Sequence, residues 1–268
     1  MSEARTLAPF GRRLADVTAC EELGGYVLLT ARDRAGPVPR PGQFYMLATE
    51  DRWGGGEAER PYLPRAFSHA RAADGTLTFL LEDVGPGTRR LSELVPGFRL
   101  WLNGPLGRGF EPPARGRPLL AGGGIGAAPL LCLQDEIGPE AQALLGFRNA
   151  SFAVAAGLFA GEPLVATDDG SAGHPGFVTD LLREELERDP EATVYACGPP
   201  AMLEAVRALC AERGVPSQLA LESGMACGYG ACFGCVVPTR DGYVRLCVDG
   251  PVLAGDALES ALVPGAGH

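Results

Sequence analysis

The sequence is poor in basic residues, and this shortage argues against a nucleic-acid-binding surface. Its 23 basic residues, all of them arginines, are outnumbered by 33 aspartates and glutamates, which gives a formal net charge of −10 over 268 residues. Proteins that bind DNA or RNA through the phosphates carry a basic patch or face. We therefore expect no nucleic-acid partner, although a local basic site for a small phosphate remains compatible with this charge.

Long apolar runs are also missing. The charge-free stretch from Pro118 to Gln134 is shorter than a membrane span and contains glycines and prolines, so it indicates a buried strand and a turn. The first residues, MSEARTLAPFGRRL, carry no apolar segment of the signal-peptide type. Eight cysteines without a secretory signal are typical of a reducing compartment. We expect a cytoplasmic protein with no membrane partner.

Residues and motifs of hydrolytic chemistry are scarce. The three histidines, His69, His174 and His268, form no metal-ligand pattern. The sequence contains no nucleophile elbow, no HExxH motif and no evident pair of catalytic carboxylates. We expect no side chain of this protein to act as a catalytic acid, base or nucleophile.

A cysteine cluster near the C-terminus is the most informative feature that is present. Its spacing, C-x4-C-x2-C-x11-C, is the plant-ferredoxin type of ligand pattern for a 2Fe–2S cluster. The ligands are Cys227, Cys232, Cys235 and Cys247. Glycines between them allow the tight turns that a loop around a small cluster needs, and a hairpin with Asp241-Gly242 at its turn would bring the last cysteine back. Zinc is the main alternative, but zinc sites usually pair two short cysteine knuckles; a disulfide framework is a weaker one.

The rest of the chain divides into two patterns. Residues 10–110 alternate short β-rich segments with glycine and proline turns, which predicts a small antiparallel barrel. After a proline-rich linker at 111–117, strand-like and helix-like segments alternate, which predicts a doubly wound parallel sheet. The last 50 residues or so return to glycine, cysteine and short strands.

Two segments of the α/β part have the character of a nucleotide site. The glycine run 122–126 lies between a predicted strand and a predicted helix, where a pyrophosphate can lie against backbone amides. Its members are Gly122, Gly123, Gly124, Ile125 and Gly126. A plain strand–helix turn is the alternative, because the run is not a complete G-x-G-x-x-G. Cys197, Gly198 and Pro199 end a later strand, where the cysteine could approach a nicotinamide or be a small buried residue.

Over almost its full length the chain resembles the ferredoxin reductase-like flavoproteins. The motifs RAFS (65–68), LEDVGPGT (81–88), NGPLGRGF (103–110), AGGGIGAAPL (121–130) and ACGPP (196–200) occur in the order seen in that superfamily. The C-terminal part, ESGMACGYGACFGCVVP through RLCVDGPV, is similar to the electron-transfer subunit of the two-subunit, NAD-linked (class 1B) dihydroorotate dehydrogenase.

The resemblance implies an α+β multidomain architecture. A flavin-binding antiparallel β-barrel would occupy 1–113, a doubly wound NAD-binding α/β domain 114–215, and a small iron–sulfur module 216–268. The barrel would hold FAD through residues of the RAFS and LEDVGPGT motifs: Arg65, Ala66, Phe67, Ser68, Leu81, Glu82, Asp83, Gly87 and Thr88. Asp83 departs from the family, which commonly has a basic residue there, so Arg65 and backbone amides would have to carry the charge at that point.

The implied function is electron transfer in pyrimidine (UMP) biosynthesis. FMN of a separate catalytic subunit would supply electrons, which would pass through the 2Fe–2S cluster and FAD to NAD+. The expected assembly is a heterotetramer of two catalytic and two electron-transfer subunits. Two other interpretations stay open at this point: a diaphorase-like FAD/2Fe–2S subunit of a hydrogenase or ferredoxin–NAD(P) reductase complex, and a zinc-stabilised, non-catalytic interaction module.

Overall fold

Six strands in the first part of the chain close into a barrel. The computed structural model describes residues 12–54 and 61–263. The barrel order is β1-β2-β5-β4-β3-β6, and all neighbours are antiparallel. The strands are β1 (Arg13–Leu23), β2 (Tyr26–Arg32), β3 (Phe44–Thr49), β4 (Arg65–Ala73), β5 (Thr76–Leu81) and β6 (Arg99–Leu106). The antiparallel barrel predicted from the spacing of turns is therefore confirmed.

The barrel is filled by alternate side chains and covered at one end by a short helix. Leu29, Phe79 and Leu100 are fully buried in its interior, as strand periodicity requires. Helix α1 (Pro86–Ser92) packs Leu91 into the same core. All six residues of β3 are buried, because its outward side chains are covered by later parts of the chain.

A second, mostly parallel sheet follows the barrel. Its order is β10-β9-β8-β7-β11-β12-β15, and only the last strand is antiparallel to its neighbour. The strands are β7 (Arg117–Gly123), β8 (Gln142–Phe147), β9 (Leu164–Thr167), β10 (His174–Pro175), β11 (Ala192–Cys197), β12 (Ser217–Ala220) and β15 (Val252–Ala254). The chain starts at the central β7, winds outward to β10 and returns to β11, so the doubly wound prediction is confirmed.

Helices connect the strands of this sheet. They are α2 (Ala127–Ile137), α3 (Ala150–Ala153), α4 (Val178–Arg188) and α5 (Pro200–Arg213). Gly214 follows α5 with a left-handed backbone and ends that helix, as expected at such a cap. In an open sheet of this kind, ligands bind beyond the carboxyl ends of the strands.

The C-terminal part connects the cysteine loop to the sheet. Strands β13 (Val236–Thr239) and β14 (Gly242–Arg245) form the predicted hairpin, and α6 (Leu246–Asp249) carries the last cysteine. The turn lies one residue earlier than predicted, at Arg240-Asp241, because Gly242 already pairs with Thr239 as the first residue of β14. Strand β15 then joins the sheet edge beside β12. The domain limits 1–113, 114–215 and 216–268 stay a prediction. The last range supplies the edge strand β15 and its neighbour β12 to the sheet.

The barrel and the sheet domain meet at α2 and β4. At this contact His69 Nε2 lies 3.1 Å from Cys132 Sγ, and both residues are buried. Burial lowers the pKa of His69 to about 4 and raises the pKa of Cys132 to about 12, so both side chains are neutral at pH 7. No helix within residues 12–54 and 61–263 is long and apolar enough to cross a membrane.

Candidate cofactor sites

The four cysteines of the C-terminal loop lie as two pairs. Cys235 Sγ and Cys247 Sγ are 3.2 Å apart and buried. Burial alone would raise the pKa of Cys227, but donation from backbone amides of Cys232 and neighbouring residues and from the Cys232 thiol lowers it to about 7. A two-iron cluster takes two thiolates on each iron, so a pairwise arrangement fits it. Among the described residues, no three His, Cys, Asp or Glu side chains converge as a single-ion site does.

The backbone of the cysteine loop turns tightly and directs amide groups toward the cysteine sulfurs. Gly228 and Gly230 have φ values of +79° and +86°, which favour glycine. The amide of Gly234 lies 3.4 Å from Cys232 Sγ, and the amide of Cys247 lies 3.5 Å from Cys235 Sγ. Amide hydrogen bonds to cysteine sulfur are one of the features that set the potential of iron–sulfur clusters.

The cysteine loop packs directly on the outside of the barrel. A methyl group at Gly228 would come within 2.6 Å of Met46 Cγ and 3.1 Å of Leu106 Cδ1. Met46 lies on β3 and pairs in register with Ala66 on β4. The loop is therefore separated from the RAFS strand by the width of one strand.

Arg65 at the start of β4 lies against the LEDVGPGT turn. A methyl group at Gly87 would approach Arg65 Nε to 2.6 Å, so the guanidinium could keep this position against the turn only beside a glycine and would otherwise have to shift. The Arg65 guanidinium also lies 5.9 Å from the ring centroid of Trp53, a residue that the sequence analysis did not single out. Burial lowers the pKa of Arg65. In the segments that flank Arg65 and the turn in sequence, Tyr62 and Val84 are 75% and 61% exposed. A cation beside exposed apolar side chains suits a cofactor with a phosphate and aromatic rings.

Side chains of the LEDVGPGT turn have partners within the protein. Thr88 Oγ1 accepts hydrogen bonds from the amides of Val84 and Gly85, at 2.9 and 3.0 Å, and so organises the turn. Asp83 Oδ2 lies 3.3 Å from Arg89 Nε. At the position where the resemblance led us to expect a basic residue, the structure therefore has a carboxylate that is paired with a nearby arginine.

The glycine turn after β7 opens toward the barrel. Gly124 has a φ of +55°, and a methyl group there would meet only Tyr26 Oη, at 3.7 Å. The other glycines of the run approach neighbours closely: Gly123 faces Met202 and Pro199, and Gly126 faces the end of β11. Gly124 therefore leaves space for a ligand, whereas its neighbours hold the turn close to the adjacent strand.

Cys197 lies at the carboxyl end of β11, next to this turn. Its side chain is buried, and burial raises the pKa of its thiol well above the usual range. The thiol is therefore neutral and behaves as a small apolar group at pH 7. The backbone atoms of Cys197 and Gly198 lie directly against Gly126 of the glycine turn.

Comparison with known proteins agrees with this division of the chain. Residues 222–259 match the iron–sulfur cluster binding domain of dihydroorotate dehydrogenase B, and residues 159–208 match the oxidoreductase NAD-binding domain. The dihydroorotate dehydrogenase B (NAD(+)) electron transfer subunit of Caldanaerobacter subterraneus subsp. tengcongensis is 39% identical over 225 residues, which cover 81% of this chain and 86% of the relative. The protein of the same name from Geobacillus thermodenitrificans is 38% identical over 248 residues, 87% and 92% of the two chains.

The chain belongs to the family of dihydroorotate dehydrogenase B electron transfer subunits. Solved structures agree on the fold of this family member. An NADH-dependent reduced ferredoxin-NADP oxidoreductase structure aligns with a TM-score of 0.77 at 25% identity, covering 93% of this chain and 91% of the other. A ferredoxin reductase of carbazole 1,9a-dioxygenase aligns with a TM-score of 0.63 at 26% identity, covering 76% and 66%.

Besides Trp53, three residues that the sequence analysis did not single out lie at these sites. Met46 lies between the cysteine loop and the RAFS strand, and Tyr26 faces the glycine turn. Arg148, which follows β8, forms an ion pair with Glu82 of the LEDVGPGT motif. Each of these contacts joins separate parts of the chain. For Met46 and Tyr26 the sequence carried no indication of these contacts. For Arg148 the only indication was its position directly after a predicted strand.

Proposed function

We propose that this chain carries electrons from the FMN of a dihydroorotate dehydrogenase catalytic subunit to NAD+. When bound, the 2Fe–2S cluster supplies one-electron steps and FAD converts them into hydride transfer. The observation that carries the proposal is the paired set of four cysteines, which lies in the matched iron–sulfur domain and packs through Gly228 on Met46. We propose Cys227, Cys232, Cys235 and Cys247 as the cluster ligands.

The barrel residues of this chain bind and orient the flavin in this proposal. Arg65 supplies the positive charge for a phosphate, and Gly87 allows the guanidinium to lie against the turn. The backbone of Ala66, Phe67 and Ser68 and that of Leu81 to Asp83 line the same face, while Thr88 holds the turn in shape. No side-chain acid or base is needed, because the chemistry belongs to the cofactors.

The sheet domain binds the nicotinamide dinucleotide in this proposal. The open turn at Gly124 receives the pyrophosphate, and the end of β11, at Cys197 to Pro199, lies near the nicotinamide. The remaining members of the run, Gly122, Gly123, Ile125 and Gly126, shape the turn. The matched NAD-binding domain covers residues 159–208, which include Cys197 to Pro199, and it supports that part of the assignment. The strand order of the sheet supports the position of the glycine turn as a ligand site.

The partner in this proposal is an FMN-containing catalytic subunit, in an assembly of two catalytic and two electron transfer subunits. The name shared by the relatives supports a catalytic partner. The cytoplasmic location predicted from the sequence stays part of the proposal, together with the role in pyrimidine biosynthesis. The comparisons favour this function over the diaphorase-like subunit and over the zinc-stabilised module.

Co-expression with the catalytic subunit of the same organism tests the proposal. We expect the two chains to co-purify anaerobically with FMN, FAD, iron and labile sulfide, and to reduce NAD+ with dihydroorotate. This chain alone should oxidise NADH with a dye as acceptor but should not oxidise dihydroorotate. Co-purification without NAD+ reduction, or zinc in place of iron, would contradict the proposal.

A further inference from the structure

Arg148 occupies a position that usually reports on NAD or NADP preference. It follows directly on β8, the strand after the glycine turn, about 20 residues beyond that turn. In dinucleotide-binding folds an acidic residue near this point contacts the ribose 2′-hydroxyl of NAD, whereas an arginine nearby accommodates the 2′-phosphate of NADP. By residue type alone, Arg148 would favour NADP, whereas the proposed acceptor is NAD.

The structure shows that this arginine is engaged by the other domain. Arg148 Nη2 forms an ion pair with Glu82 Oε1 of the barrel. Its guanidinium also lies over the ring of Phe152, 4.1 Å from the centroid. Phe152 in turn packs edge-on against Tyr26 of the barrel, with the ring centroids 5.0 Å apart. The guanidinium is thus turned toward the barrel and its charge is compensated there.

The neighbouring loop adds negative charge at the same edge of the sheet. The amides of Asp168 and Asp169 donate to the carbonyls of Phe147 and Arg148, at 3.0 and 3.4 Å. Asp169 Oδ1 accepts hydrogen bonds from the hydroxyl and the amide of Ser171, at 2.6 and 2.9 Å. These bonds lower the pKa of Asp169, so its carboxylate is charged at neutral pH. A 2′-phosphate at this edge would face carboxylates rather than an unpaired cation.

We propose that the ion pair between Glu82 and Arg148 makes the nucleotide site select NAD over NADP. This inference rests on the proposed function, because it takes the sheet domain as the site of the nicotinamide dinucleotide. The selection works through competition: a 2′-phosphate has to compete with the Glu82 carboxylate for the Arg148 guanidinium, and the pair lowers the net positive charge that the phosphate meets. Glu82 is then a specificity-determining residue through its side chain, while its backbone remains part of the flavin face.

Equilibrium binding of two nucleotide fragments tests the proposal without turnover. The probes are ADP-ribose and its 2′-phosphorylated form, titrated into flavin-loaded holoprotein at low ionic strength, and the measured quantity is the ratio of their dissociation constants. We expect Glu82→Gln to shift this ratio about fivefold toward the 2′-phosphorylated probe, which corresponds to the upper range for a partly exposed ion pair. Adding Arg148→Gln to that variant should abolish the shift.

Two further variants separate this effect from general changes. Glu50→Gln removes the partner of Arg99 in another partly exposed ion pair of the barrel, and it should leave the ratio unchanged. Arg148→Gln alone should also leave the ratio within about twofold of that of the unmodified protein, because the arginine is already engaged. This variant keeps Glu82 and therefore gives a result even if Glu82→Gln loses flavin.

The possible outcomes distinguish failure of the specificity proposal from failure of the proposed nucleotide site. If ADP-ribose binds but Glu82→Gln leaves the ratio unchanged, the specificity proposal is wrong and the nucleotide site stands. A preferential loss of the 2′-phosphorylated probe in Arg148→Gln alone would show that the arginine is available, which also overturns the proposal. If ADP-ribose does not bind the flavin-loaded protein, the proposed nucleotide site itself is wrong, and the specificity proposal fails with it.

Discussion

Substitution of Gly228 by alanine tests the contact between the cysteine loop and the barrel. The backbone φ of +79° at this position costs a non-glycine residue about 1–2 kcal/mol. The added methyl group would lie 2.6 Å from Met46 Cγ and 3.0 Å from Met46 Sδ, and overpacking of this kind costs about 1–3 kcal/mol. We expect the free energy of unfolding to fall by about 2–5 kcal/mol.

A matched variant isolates the packing contribution. Gly214 has a φ of +63° and no heavy atom within 4 Å of the position of an added methyl group, so Gly214→Ala should cost only about 1–2 kcal/mol. Met46→Ala makes room for the methyl group, and the double variant with Gly228→Ala should therefore show a favourable coupling of about 1–3 kcal/mol. The assay is urea unfolding of the anaerobically purified holoprotein, followed by circular dichroism, with iron measured on each sample. Equal losses for Gly228→Ala and Gly214→Ala, with no coupling to Met46→Ala, would refute the contact.

Three further predictions concern other sites. Burial lowers the pKa of His69 to about 4 in the folded chain, so the unfolded chain binds a proton at this residue first as the pH falls below about 6.5. The free energy of unfolding should therefore drop by up to about 3 kcal/mol between pH 6.5 and 4. Urea titrations should show a shallower pH dependence in His69→Gln, and an unchanged slope would contradict the assignment. Arg65→Ala should lower the flavin retained after gel filtration, and full flavin occupancy would show that the phosphate is bound elsewhere. Cys232→Ser should remove the electron paramagnetic resonance signal of the reduced cluster, and an unchanged signal would exclude this residue as a ligand.

The features that could be predicted from the sequence are local ones. The spacing of the cysteines, the hairpin around Asp241-Gly242 and the alternation of strands and helices each depend on residues close together in the chain. The hairpin turn itself is one residue away from its predicted place, at Arg240-Asp241. The structure confirms the barrel, the doubly wound sheet and the hairpin on this basis. The pairing of Cys235 with Cys247 also follows from that hairpin, which returns the chain to the loop.

The features that could not be predicted depend on how the parts of the chain pack together. Met46 is one apolar residue of a buried strand in the sequence, and its contact with Gly228 exists only because the cysteine loop lies on the outside of the barrel. The ion pair between Arg148 and Glu82 joins residues 66 positions apart on two domains. Neither local propensity nor hydrophobic periodicity carries information on such pairs.

Asp83 shows a similar limit for reasoning from a family motif. The sequence departs from the common basic residue at this position, which predicts a weaker hold on a phosphate there. The structure adds that Arg89 lies 3.3 Å from the Asp83 carboxylate, so a cation is present but paired. The net charge around Asp83 therefore depends on Arg89, six residues further along the chain in helix α1.

The central claim is that the cysteine loop holds two irons next to the flavin-binding barrel. Determination of iron, acid-labile sulfide, zinc and flavin on one anaerobically purified sample tests it most directly. We expect about two irons, about two sulfides and one FAD per chain, with no stoichiometric zinc. Stoichiometric zinc without sulfide, or a flavin-loaded chain that contains no iron, would contradict it.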